Sequence, residues 1–439
     1  MKLSKYILSV IGVFFLQINC TSPSKNEQEI LSRKKYKEQL EGFWLGQCIA
    51  NWTGLVTEMD KIGNIGDIKT GSFYTREDWG KKDLPNIWGE KKDSLSPTID
   101  FVFRDTSEIW GADDDTDIEY IYQYLLHTHK TLFLTAEEIK NGWIKHIKAE
   151  EENYLWVSNQ KAFDLMQKGI LPPETGNPKN NQFYDMIDAQ LTTEIFGLFA
   201  PGHPDIALKM AKLPIQTTAR GNADYIAKFY VLMHSMVAQS NFENHPEQEN
   251  REVLFNSAKE ARKLLPDSTY SAKMYDFVYK QYLKGTPWEN TRDSLYQRYQ
   301  VEQMDGYDIT SRKMHCNGCF ASGINFGASL ISLFYGEGNY KKTVKIGTLA
   351  GWDSDNPTAT WGGLLGFMLG KERIEKVFNR KFSNKFNIHR TRQNFENNGM
   401  DNFENMAETG MKILDRVMKY EVKAIFDEET DAWIIPANQ

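Results

Sequence analysis

Two short acidic segments carry the residue types best suited to chemistry. The first is Gly111-Ala112-Asp113-Asp114-Asp115-Thr116-Asp117, with four aspartates in five positions at the start of a helical pattern. One carboxylate at a helix N-terminus gains about 0.3–1 kcal/mol from the helix dipole. Further adjacent ones repel one another unless a cation is present, so the excess points to a metal site, with a solvated acidic loop as the alternative. The second segment is Gly351-Trp352-Asp353-Ser354-Asp355-Asn356-Pro357-Thr358. Asn356 suits a helix N-cap and Pro357 the first helical position. If the segment is extended, the Asp-x-Asp alternation points Asp353 and Asp355 the same way. Carboxylates at the mouth of a buried helix need partners or metals. Oxygen-only ligands suit Mg²⁺, Mn²⁺ or Ca²⁺ better than zinc. Two such clusters facing each other could hold two ions and activate water.

The elements that must position these clusters are helical. Apolar residues recur at i, i+3, i+4 and i+7 from Tyr36 to Ile434, and alternating strand patterns are few. The first helix is expected over about 34–54. Its Gly42, Gly46, Ala50 and Gly54 share one face, where small residues let another helix approach closely. Ile118, Ile121, Tyr122, Leu125 and Leu126 mark a helix starting near Asp115. Ala359, Gly362, Gly363, Gly366 and Gly370 lie among Leu and Phe in the helix after Asn356, a closely packed one. Further helices are expected near 135–148, 153–168, 186–198, 203–213, 222–239, 249–264, 269–283, 289–301, 320–336, 340–349, 357–369, 371–379 and 401–424. Residues 61–105, rich in Gly, Pro, Asp, Lys and Trp, read as a long irregular insertion whose Trp79, Trp88 and Phe101 could cover a cleft. No linker composition interrupts the chain after Arg33, so residues 34–439 are expected to form one large all-α domain.

These segments, in this order, resemble the ADP-ribosylglycohydrolase family. Gly42-x3-Gly46 through Asn51, Gly54 and Glu58 is similar to that family's opening G-x3-G motif, which ends in an acidic residue. Asp113-Asp114-Asp115-Thr116 is similar to its T-D-D-T, and Gly351 to Gly366 to its G-G-D-T-D-T and small-residue helix. The resemblance implies an all-α orthogonal bundle with two Mg²⁺ ions (Mn²⁺ being the substitute) and hydrolysis at an anomeric carbon. It implies Asp114, Asp115, Asp353 and Asp355 as metal ligands. Asp113 and Asn356 stand where the family has ligand threonines. It also implies catalytic roles for Glu58 and Asp115. The departures concern substrate. The segment Asp188 to Gly197 lacks the phosphate-cradling glycines, Trp352 interrupts Gly-Gly, and Thr217 to Asn222 lacks a His. Asp188, Gln190, Asn222 and Trp352 are the substrate-binding candidates, for an ADP-ribosyl group or another glycoside. The alternative is a non-catalytic lipoprotein that keeps the fold and holds a saccharide or nucleotide in an aromatic-lined cleft.

Composition bounds the rest. The 439-residue chain is 41% hydrophobic and 25% charged, ordinary for a globular protein. Its net charge of −7 argues against nucleic acid as a partner. Lys2 and Lys5 followed by the apolar run Tyr6 to Leu16 read as a secretory signal too short to span a bilayer. Cys20, closing that segment, resembles the lipidated residue of a bacterial lipoprotein. Residues 1–19 are therefore expected to be a signal peptide and 20–33 a tether. The chain is expected to be an exported monomer held to the periplasmic side of a membrane by lipid on Cys20. Cys316-x-x-Cys319 lacks the further ligands of a zinc site and reads as free thiols or a local disulfide. The histidines, among them His127, His129, His203, His234 and His389, have no nucleophile motif around them.

Overall fold

In the computed structural model, residues 29–436 are described except 92, 150–152, 241 and 243–246. The signal segment, Cys20 and most of the expected tether lie outside the described residues. Its last residues do not belong to a tether. Glu29–Ser32 is a strand (β1), paired antiparallel with Ala432–Ile435 (β8), which also pairs with Ile425–Asp427 (β7). Leu31 faces Trp433 across this ladder and both are buried. That partner lies some 400 positions away, so no local pattern announces it.

Helix α1 (Arg33–Gly54) and helix α15 (Asp355–Phe378) form the axis of the molecule. Their glycines let the two backbones touch. A Cβ added at Gly46 would lie 2.8 Å from the Gly366 Cα and closer still to the Gly362 carbonyl. A Cβ at Gly366 would lie 2.9 Å from the Gly46 Cα. At the far end, Gly54 abuts Asp355 and Thr358, so the ladder of small residues ends at the second acidic segment. α15 bends at Gly370, whose φ of 68° and ψ of 158° are non-helical, which is where the sequence suggests two helices.

The other helices wrap this pair: α2 (Asp114–Thr128), α3 (Ala136–His146), α4 (Val157–Gln167), α5 (Asp188–Leu191), α6 (Ile195–Leu198), α7 (Pro204–Thr218) and α8 (Asn222–Ala238). They are followed by α9 (Glu247–Arg262), α10 (Tyr270–Leu283), α11 (Trp288–Tyr296), the single turn α12 (His315–Gly318), α13 (Ser322–Gly336), α14 (Tyr340–Ala350) and α16 (Phe403–Val417). The fold is all-α. The remaining strands are short: a hairpin of β2 (Asn64–Ile65) and β3 (Ile68–Lys69), and a sheet of β4 (Trp110–Gly111), β5 (Lys385–Asn387) and β6 (Met400–Asn402). None of the described helices is long and apolar enough to cross a membrane.

Two boundaries differ from expectation for local reasons. The helix expected over 186–198 is broken into α5 and α6, because the Thr192 and Thr193 hydroxyls donate back to the Asp188 and Ala189 carbonyls at 2.8 and 2.7 Å. The helix expected from 153 starts at Val157, because Tyr154 and Val157 take positive φ. Cys316 and Cys319 are joined by a disulfide, and Cys48 is a free, buried thiol.

The close approach of α1 to α15 makes Gly46→Val a sensitive probe. The added atoms meet backbone that cannot move aside, so a loss of about 2–3 kcal/mol is expected in urea denaturation. A variant as stable as the parent would contradict direct backbone contact between α1 and α15.

Candidate metal centre

Each acidic segment is held by a different device. The first is anchored through its neighbours: the Trp52 indole donates to the Gly111 carbonyl at 3.0 Å, and the buried Trp110 indole donates to Ser383 at 3.1 Å. Asp113 then occupies the N-cap of α2 without capping it through its side chain. Behind it, Asp117 and Arg392 form a fully buried ion pair at 2.9 Å. The second segment is pinned to the chain following Glu58. The Met59 amide donates to the Trp352 carbonyl at 2.9 Å, and the Trp352 amide donates to the Lys61 carbonyl at 2.8 Å. Gly351 makes this turn with φ 99°, and any Cβ there would strike Phe73. Ser354 donates to the Gly54 carbonyl at 2.9 Å, locking the loop onto the end of α1.

The result is two facing triads. Glu58, Asp353 and Asp355 can each offer an oxygen within 4.8 Å of the others, and so can Asp113, Asp114 and Asp115. One cleft joins them. It is lined by Glu58, Asp114, Asp115, Asp188, Asp353 and Asp355, together with apolar Trp156, Val157, Ile187, Leu191 and Phe320. Six carboxylates therefore share a lining that contains no Lys, Arg or His. The donor set fits hard divalent cations: it is oxygen-only and largely buried.

Neutral donors orient these acids. Asp115 accepts from the Asn356 amide at 3.1 Å on one oxygen and from the Asn51 amide at 3.4 Å on the other. Gln190 in turn donates to the Asn356 carbonyl oxygen at 3.3 Å. Asp188 accepts from the Ser158 hydroxyl at 2.6 Å and the Asn159 amide at 2.8 Å. Burial, opposed by the Asn51 hydrogen bond, pushes the Asp113 carboxyl up to about 7. Burial pushes Asp188 up to about 6 against its Ser158 hydrogen bond. Asp114, Asp115 and Asp353 are driven well above the carboxylate range, first by burial and then by the charge of their acidic neighbours.

Of the residues singled out in the sequence, Glu58, Asp114, Asp115, Asp353 and Asp355 line the cleft together with Asp188, while Asp113 groups with Asp114 and Asp115 but is not part of the lining. Asn356 and Gln190 lie behind Asp115 as a relay of amides. Trp352 and Asn222 do not line the cleft. The Trp352 ring is buried against Phe73, and its indole donates to Gln300 at 2.8 Å. Asn222 accepts from the Ser271 hydroxyl at 2.8 Å. The insertion supplies one of its three expected cover residues. Trp88 lies over Trp156 and Phe320 in a near-parallel stack, with centroids 6.0 and 6.4 Å apart. The Trp156 and Phe320 rings are themselves 6.2 Å apart and inclined by 14°. Trp79 and Phe101 instead pack together, with Phe101 against Phe378. Trp156, Phe320 and Asn51 were not singled out for the cleft itself. Trp156 sits in an extended connection and Phe320 follows the disulfide, so neither belongs to a periodic pattern.

Under this stack the cleft encloses only about 10 Å³. That is room for about one water molecule.

The raised carboxyls fix the sign of a pH effect. Their folded values lie above the ordinary 3.8, so the stability they contribute is present at low pH and is lost as pH rises through about 6 and 7. In a chelator, the melting temperature should therefore fall between about pH 4 and pH 7. Mg²⁺ should reverse the fall, most strongly at the upper end. Differential scanning fluorimetry checks this, and a metal-free melting temperature that climbs with pH would count against it.

A family model described as ADP-ribosylglycohydrolase matches residues 32–406. A solved structure titled "ADP-ribosylglycohydrolase-related protein complex" is similar over 87% of this chain and 99% of that chain, at 12% identity and a TM-score of 0.42. No curated protein matches the chain. The family match spans both acidic segments and the helices that hold them, and the chain belongs to the ADP-ribosylglycohydrolase family.

Proposed function

We propose that this protein is a hydrolase of an N- or O-glycosidic bond that depends on a pair of divalent ions, Mg²⁺ or Mn²⁺. The observation that carries this reading is the cleft of six carboxylates with no cationic side chain. Asp113, Asp114 and Asp115 would hold the ions from one side, Asp353 and Asp355 from the other. Bound there, divalent ions supply Lewis acidity, lowering the pKa of water and polarising sugar hydroxyls.

The chain's own residues do the remaining work. Glu58 lines the cleft and is only partly buried, so it is placed to accept a proton from the attacking water. Asp115, with both oxygens held by amides, is a fixed anchor whose geometry does not relax when substrate enters. Asp188, tethered by Ser158 and Asn159, is placed to accept from a sugar hydroxyl. Trp156 and Phe320 exclude water above the carboxylates and offer a flat surface to a ring of the substrate. The Asp188 to Gly197 segment has a single glycine, Gly197, which packs against α8, so it offers no glycine-rich backbone cradle for a diphosphate. A glycoside other than ADP-ribose is therefore included in the substrate class.

The test is hydrolysis of ADP-ribosylated peptides, nucleosides and aryl glycosides with and without Mg²⁺ or Mn²⁺. Asp353→Ala and Asp355→Ala should lose both metal and turnover. Glu58→Gln should lower kcat by about 100-fold or more. Retained metal with no turnover of any glycosidic substrate would refute catalysis and leave a binding protein. Trp156→Ala should raise KM about tenfold with little change in kcat. An unchanged KM would remove the ring platform from this scheme.

A further inference from the structure

A second cavity, of about 870 Å³, opens away from the carboxylates between α14, the turn joining α10 to α11, and the insertion near Trp79. Its volume is within the range of small-ligand sites. We infer that it binds an acidic saccharide.

Charge comes first. Arg76, Lys341, Lys342 and Lys345 line the cavity and no carboxylate does, in a chain whose net charge is −7. Two of these cations are already neutralised. Arg76 makes a two-pronged pair with Glu289 at 2.7 and 2.8 Å, and Lys342 pairs with Glu337 at 2.7 Å. Lys341 and Lys345 are different. They stand four residues apart on one face of α14. Among the described residues neither has a carboxylate within ion-pair range. Their ammonium groups rest on aromatic faces instead, Lys341 at 4.7 Å from the Phe378 ring and Lys345 at 4.7 Å from the Trp79 ring. Ring faces hold a cation in place without cancelling its charge, so both remain available to an anion.

The rest of the lining selects what the anion is attached to. Trp288, Tyr282 and Tyr335 form an aromatic wall, and Ile346 and Leu349 form the floor. An inorganic anion would leave that surface unused. A sugar ring presents C–H faces to aromatic side chains and hydroxyls to their polar edges. A uronate adds the carboxylate that two free lysines would meet. The cavity shares no lining residue with the metal centre, so it constitutes a separate site.

Isothermal titration of the full chain with trigalacturonate tests the assignment, with galactotriose and AMP as comparisons. Trigalacturonate should bind with a Kd below about 1 mM, weakening as salt is raised. The Lys341→Gln/Lys345→Gln double variant should weaken it by about tenfold or more. Both lysines project from the surface of α14, and an unchanged melting temperature confirms that the fold survives. Asp353→Ala/Asp355→Ala should leave this binding within about twofold, which separates its failure from that of the hydrolase reading. The inference is overturned if trigalacturonate gives no heat up to about 5 mM. Equal binding of galactotriose, or a double variant that binds like the parent, overturns it as well. Binding of AMP alone would reassign the cavity to nucleotides and refute the saccharide.

Discussion

The backbone contact between α1 and α15 is the constraint on which the rest depends. Two helices normally keep 8–10 Å between their axes because side chains intervene. Gly42, Gly46, Gly362 and Gly366 remove those side chains and leave carbonyls against Cα atoms. The functional consequence appears at the end of the ladder. Gly54 lies against Asp355, Ser354 reaches back to the Gly54 carbonyl, and Glu58 follows four residues later. A small displacement along this interface would carry Glu58 and Asp355 apart together with their helices. The site is thus set by backbone packing more than by any contact between its own side chains.

The site gathers six carboxylates in a lining without Lys, Arg or His. Its nearest fixed partners are neutral: Asn51, Asn356, Ser158 and the Asn159 amide. Such donors aim carboxylates but do not cancel them. A buried guanidinium behind the first acidic segment, Arg392, is committed to Asp117. A second buried acidic pair shows the contrast. Glu119 accepts from Gln47 at 2.7 Å and from the Ile195 amide at 2.9 Å, and Glu194 accepts from Thr360 at 3.0 Å. Burial and the neighbouring Glu194 raise Glu119 well above its ordinary range. The cleft carboxylates instead face a space that a cation can enter.

The aromatic surplus divides between two tasks. Most large rings, including Trp44, Trp110, Trp143, Trp352 and Trp361, are buried packing elements. Trp88 and Trp156 remain 48% and 37% exposed, and with Phe320 they roof the carboxylates. The three come from the insertion, from an extended connection and from the residue after a disulfide. Trp88 is held there by Ile87 next to it, whose amide donates to the Met59 carbonyl at 3.1 Å and folds the insertion back beside Glu58.

The sequence by itself determined the acidic clusters, the small-residue ladder and the all-helical class, because each is written in local spacing: Gly42 to Gly54 at every fourth residue, Asp-x-Asp before Pro357, apolar positions at helical period. It also indicated that the two clusters belong to one site, through their order along the chain. Tertiary structure alone decided which polar residues enter that site. Trp352 and Asn222 are as plausible in sequence as Asp188, yet the left-handed turn at Gly351 and Trp352 buries the indole against Phe73 and Gln300. Asn356 faces Asp115 through an amide relay that no spacing encodes. The terminal sheet, the aromatic roof and the lysine-lined cavity were likewise illegible, since each joins segments far apart in the chain. Periodicity reports which face of an element is buried; it carries no information on what that face meets.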